Sequence, residues 1–142
     1  MFNIVCVTHR KLCENFFKRV GELYKNNVPV ILREKDLSES EYEELAKKVI
    51  EICPNVILHS YINVAKKIGV KRIHLPLRLM NENAEKEFET VGVSVHSAPD
   101  CVRVARQTLT LFVWVQILVG QPNKSQSVKI GICTIPGYSA VW

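Results

Sequence analysis

The sequence predicts an α/β domain built on a parallel sheet. Three observations lead there: five apolar runs of strand length, helix-period segments between them, and a unit length of roughly 20–25 residues. Each run ends in polar or charged residues, and open or closed α/β sheets hold their ligands beyond the carboxyl ends of the strands. Consecutive right-handed βαβ units build either a doubly wound sheet or a barrel.

The first run, Phe2 to Val7, ends at Thr8-His9-Arg10. From Cys13 to Asn26, residues Phe16, Phe17, Val20, Leu23 and Tyr24 recur at helical spacing, and Asn26-Asn27 closes the segment. Val28 to Leu32 follows as an apolar run suited to a strand covered on both faces. It delivers Arg33-Glu34-Lys35-Asp36, the densest charge cluster at any strand end. Arg brings a planar fork and Lys a point charge, both suited to phosphate, although such a run is also what a solvated strand end looks like.

Ser38 or Ser40 caps the second helix, with Glu39 and Glu41 favourable in its first turn. Tyr42, Leu45, Val49 and Ile52 form its apolar stripe, and Pro54 stops it. The third strand, Asn55 to Leu58, ends in His59-Ser60, and Ile62 to Ile68 is a short helix closed by Gly69. Arg72 to Leu75 is the fourth strand, Asn83 to Glu89 a short charged helix, and Val91 to Ser97 the fifth strand. In the tail, 111–119 and 128–135 read as two further strands joined through Gly120-Gln121-Pro122-Asn123.

At 142 residues the chain is one domain by size, with 47% hydrophobic and 23% charged residues. The net charge of +5 favours an anionic ligand, yet Lys and Arg are spread along the chain rather than gathered into a nucleic-acid patch. The longest apolar stretch, 109–119, is interrupted by Thr110 and Gln116 and falls short of the roughly 18 residues of a membrane helix. The N-terminal residues lack signal-peptide character, which points to the cytosol. Five cysteines without a CxxC pair read as reduced structural thiols, not zinc ligands. His59, His74 and His96 all fall at strand ends, but their spacing carries no metal motif, so no metal residue is assigned.

Taken in order, Val7-Thr8, Leu32-Arg33-Glu34-Lys35, Ile73-His74-Leu75 and Gly92-Val93-Ser94-Val95-His96-Ser97 resemble the thiamine-phosphate synthase/TenI family over residues 1–97. That resemblance implies a (β/α)8 TIM-type barrel, here truncated to about five βα units with an atypical tail over 98–142, since a complete barrel takes roughly 200 residues or more. It implies a thiamine-biosynthesis protein acting on or binding phosphorylated thiazole and pyrimidine precursors. Phosphate-binding candidates are Arg33, Lys35, Ser94 and His96, with His59, Ser60 and His74 on the rim.

The departures from the family are specific. Its synthases carry an Asn-Asp pair where this chain has His59-Ser60, and a second acidic magnesium ligand where this chain reads Pro76-Leu77-Arg78-Leu79. Magnesium prefers hard oxygen ligands, so a synthase-like use of the metal lacks its carboxylates. Ile31 stands where the synthase usually has Gln. These losses resemble the TenI branch, which includes metal-free thiazole tautomerases. Yet that branch keeps its catalytic histidine on the sixth strand, where this chain has Val115-Gln116. After about Ala98 the motifs stop, and no Asp or Glu follows Asp100. The alternatives are a non-catalytic phosphate-ligand module or an inactive truncated relative. Open edges at the first and fifth strands predict a homodimer or poor solubility.

Overall fold

The computed structural model describes residues 4–97, 99–100, 112–116, 130–134 and 139–140. Strand–helix alternation runs β1 (Cys6–Val7), α1 (Phe16–Lys25), β2 (Val30–Leu32), α2 (Glu39–Ile52), β3 (Ile57–His59), α3 (Ile62–Ile68), β4 (Arg72–Pro76), α4 (Glu82–Glu87) and β5 (Thr90–Val95). The tail adds β6 (Phe112–Gln116), β7 (Ile130–Thr134) and β8 (Ser139–Ala140). Strands β1 to β6 pair in parallel and in chain order. The first five, with their helices, form a curled half-barrel.

The tail departs from that plan. β6 extends the parallel sheet on β5, but β7 and β8 return antiparallel. β5 therefore has a neighbour on both sides, and the sheet ends fall at β1 and β8 among the described residues. The sequence gives no warning of β8. The segment 101–107, the 120–123 link and Trp142 lie outside the described residues.

Local chemistry explains the elements that match. Ser38, not Ser40, caps α2: its Oγ accepts from the Glu41 amide while the Glu41 carboxylate accepts from the Ser38 amide, a reciprocal capping box. α3 closes on Gly69 at φ 75°, and the Val70 amide reaches back to the Ala65 carbonyl at 2.9 Å. A Cβ on Gly69 meets nothing within 4 Å, so only the left-handed backbone opposes a side chain there. Gly69→Ala is expected to cost about 1 kcal/mol of unfolding free energy by urea titration, without a change in slope. α1 begins at Phe16 rather than Cys13, preceded by Asn15 at φ 55°. Its expected stripe is only partly used: Val20 is buried, while Phe17 and Tyr24 are each 40% exposed.

Register decides which face carries chemistry. Leu32, Leu58, Ile73 and Val91 lie in one row across β2 to β5, and all four belong to the apolar core. α1 packs on α2 and α2 on α3 around that sheet. One residue further on, the row of His59, His74 and Gly92 faces the opposite way, with Arg33 next after Leu32. Core burial thus fixes a second, concave face on which the strand-end polar groups converge. Cys6, Cys13 and Cys53 are free thiols. Among the described residues, no helix is long and apolar enough to cross a membrane.

Candidate functional site

β2 ends at Leu32, and the charge cluster beyond it divides by partner. Glu34 is 3% exposed and turns toward β1, where its Oε1 accepts from Thr8 Oγ1 at 2.8 Å and the Arg10 amide at 2.9 Å. Its Oε2 accepts from Arg10 Nη1 at 3.1 Å. The Arg10 guanidinium also grips both oxygens of Asp36, at 2.6 and 2.8 Å, and Lys11 adds a contact at 2.8 Å. The hydrogen bonds from Arg10, then Lys11, hold the Asp36 carboxyl well below the usual carboxylate range. Arg10 and Lys11 are therefore neutralised by these two carboxylates. Arg33 and Lys35 are not: with Arg78, they make no ion pair among the described residues.

A buried tyrosine positions the next two strands. Tyr42 Oη, reaching in from α2, donates to the Leu32 carbonyl at 2.6 Å and accepts from the His59 amide at 3.0 Å. Its ring stacks on Tyr61 at 4.2 Å between centroids, and Tyr61 Oη donates to the Leu37 carbonyl at 2.7 Å. Together they fix the ends of β2 and β3 relative to α2. Beyond His59 the chain turns through Ser60 at φ 68°, a left-handed conformation that costs a serine of order 1 kcal/mol. The Ser60 amide donates to the His74 carbonyl at 3.0 Å, which holds the turn.

On the concave face His59 and His74 stack, with ring centroids 5.3 Å apart and planes inclined by 26°. Each has a serine partner: Ser60 Oγ lies 2.7 Å from His59 Nδ1, and Ser94 Oγ lies 3.3 Å from His74 Nε2. His74 Nδ1 is buried without a hydrogen-bond partner among the described residues. Burial pushes the His59 pKa down to about 3, helped by His74, Arg33, Lys35 and Arg78; burial and then Arg33 push His74 down to about 4. Both rings are neutral at pH 7.

The sign of the resulting pH dependence follows. Above the ordinary value of 6.5, folded and unfolded chains hold both rings neutral and stability is complete. Below it the unfolded chain takes up protons that the folded chain refuses. Stability is lost as pH falls toward 4 and then 3, by at most about 1.4 kcal/mol per pH unit for each ring, less where solvent screens the rim. Urea titrations between pH 6.5 and 5 should show this slope. The double variant His59→Gln, His74→Gln should flatten it.

The site candidates separate into groups. His59, Ser60, His74 and Ser94 are joined by ring stacking and hydrogen bonds at the carboxyl ends of β3 to β5. Arg33 and Lys35 follow the end of β2 and bear on His59 electrostatically. His96 lies just past β5 and is exposed, outside the histidine–serine pairs. Next to it, Ser97 Oγ donates to Asp100 at 2.8 Å and accepts from the Asp100 amide at 3.3 Å. Arg78, which motif reading noted only as a missing carboxylate, also bears on His59. Its signal was available: an unbalanced cation directly after a strand end.

A magnesium ion does not fit these residues. Both oxygens of Glu34 and of Asp36 are taken by Thr8, Arg10 and Lys11. His59-Ser60 and Pro76-Leu77-Arg78-Leu79, none of them acidic, stand where the family resemblance implies the metal's carboxylates. No cluster of three or more His, Cys, Asp or Glu able to hold a metal ion occurs among the described residues. A separate cleft of about 450 Å³ lies between α3 and α4, touching Ser60, Tyr61 and Asn63. It is the poorer anion site, because Glu39 and Glu87 line it and its Lys66 is already paired with Glu87 at 2.8 Å.

A thiamine-phosphate synthase from Fusobacterium nucleatum subsp. nucleatum is 32% identical over 79 residues, covering 51% of this chain and 38% of that protein's length. The sequence model of the family described as thiamine monophosphate synthase matches residues 4–135. That match runs past Ser97 through β6 and β7, further than the recognisable motifs reach. The chain belongs to the thiamine monophosphate synthase family.

Proposed function

We propose that this chain serves thiamine biosynthesis by binding phosphorylated thiazole and pyrimidine precursors at the carboxyl ends of β2 to β5. The observation that carries this reading is the pair of cations Arg33 and Lys35, without carboxylate partners among the described residues, while neighbouring Arg10 and Lys11 are paired with Glu34 and Asp36. Ser94 supplies a hydroxyl on the same face, and Tyr42 holds the strand ends in place. Cations without a carboxylate partner, with a hydroxyl nearby, offer a phosphate strong charge-assisted hydrogen bonds.

A binding role is favoured over proton-transfer catalysis. A general base works best with a pKa near the operating pH, and both histidines at the cluster lie far below it. Gln116 stands where a tautomerase keeps its histidine. Calorimetric titration with thiazole phosphate carboxylate, with and without pyrophosphate, tests the proposal. Saturable binding supports it. The absence of heat from a folded, monodisperse sample would sink it.

We further propose that the chain self-associates. β1 is only two residues long and pairs on one side, with Ile4, Val7 and Leu12 exposed around it by 71%, 50% and 83%. Light scattering should report a dimer or larger species. A clean monomer at high concentration would contradict this.

A further inference from the structure

We infer that Arg78 completes a three-cation site with Arg33 and Lys35 that takes the phosphate or diphosphate of a ligand directly on side chains, without a divalent metal. The inference rests on the phosphate-site reading above and deepens it. β4 ends at Pro76, and the chain then makes a short 3-10 turn, Leu77–Leu79. Leu77 and Leu79 pack against the core, which anchors the turn on both sides of Arg78 and leaves the guanidinium exposed. Arg33 and Lys35 follow the end of β2 at Leu32, on the same edge of the sheet as the end of β4.

Three like charges gathered without a carboxylate repel one another, and a multiply charged anion relieves that repulsion. β2, β3 and β4 are parallel neighbours, so the residues after β2 and those after β4 leave the same edge of the sheet, around the His59–His74 stack. From there Arg33, Lys35 and Arg78 all oppose protonation of His59. Neutral His59 and His74 add no further charge. Ser60 and Ser94 sit beside them, and the buried His74 Nδ1 lacks a partner. Where the family resemblance places carboxylates that hold magnesium, this chain has His59-Ser60 and the turn Pro76-Leu77-Arg78-Leu79, whose one charged residue is a permanent cation. The charge that a metal would bring to the anion is supplied by Arg78.

Inorganic pyrophosphate titrated into the full chain tests this, first in EDTA and then in excess magnesium. Binding in EDTA is expected, with no tightening by magnesium. Arg78→Gln should weaken it about tenfold or more, as loss of a charge-assisted contact does. Arg78→Lys should recover part of the loss, and Lys48→Gln, on the exposed side of α2, should leave binding unchanged. Thermal melts confirm that each variant folds. Binding seen only with magnesium, or Arg78→Gln binding as tightly as the parent, overturns the inference while leaving the phosphate site standing. If pyrophosphate and thiazole phosphate carboxylate both fail to bind under either condition, the underlying site reading falls, and the inference with it.

Discussion

Arg33→Gln is expected to lower affinity for a phosphorylated thiazole by about tenfold to a hundredfold, with the fold intact. The side chain is half-buried at the end of β2 and makes no ion pair among the described residues, so its removal breaks no structural link. What holds that corner is the Arg33 amide, which donates to Thr8 Oγ1 at 3.0 Å and survives the change. A charge-assisted hydrogen bond contributes roughly 1.5–3 kcal/mol, which sets the size of the loss. Lys35→Gln should cost less, because an exposed ammonium on a flexible stem is better hydrated when free. Calorimetry on the parent and both variants gives the comparison; equal affinities would remove Arg33 from the site.

Glu34→Ala, one residue along, should behave in the opposite manner. We expect it to destabilise the chain by about 3 kcal/mol or more, because it leaves a buried network without its acceptor. Thr8 Oγ1 and the Arg10 amide both lose their partner at Oε1, and Arg10 loses one of its two carboxylates. Glu34→Gln keeps an acceptor oxygen and should cost less. Urea unfolding followed by circular dichroism measures both. A loss below about 1 kcal/mol for the alanine variant would mean that the network contributes little. Adjacent residues of one short charge run thus divide between binding and stability, according to the partners each one meets.

Much of the fold was legible because its determinants are local. The Ile62–Ile68 helix and its Gly69 stop match the residues named from sequence, since an apolar period and a left-handed glycine are short-range signals. The capped start of α2 and the buried run of β2 are equally local. The contacts that shape the site are not. Glu34 meets Arg10 across 24 positions, and the His59–His74 stack depends on the β3–β4 register. Tyr42 reads in sequence as one apolar position of a helical stripe, yet its hydroxyl ties two strand ends together. Motif matching named six of the residues that gather on the concave face. It passed over Arg78 because it looked for a carboxylate there and recorded only the loss. The antiparallel return of β7 and β8 was hidden for another reason: strand pattern fixes neither direction nor partner.

The most direct test of the account is histidine side-chain NMR during titration with thiazole phosphate carboxylate. The chain has only four histidines, so each ring can be assigned by single substitution. If the anion settles among Arg33, Lys35 and Arg78, the His59 and His74 signals should move together with ligand, and their pKa values should rise as the cations are neutralised. His9, exposed after β1 and outside the His59–His74 stack, should move least. Saturable binding that leaves His59 and His74 unmoved would place the ligand elsewhere and contradict the account.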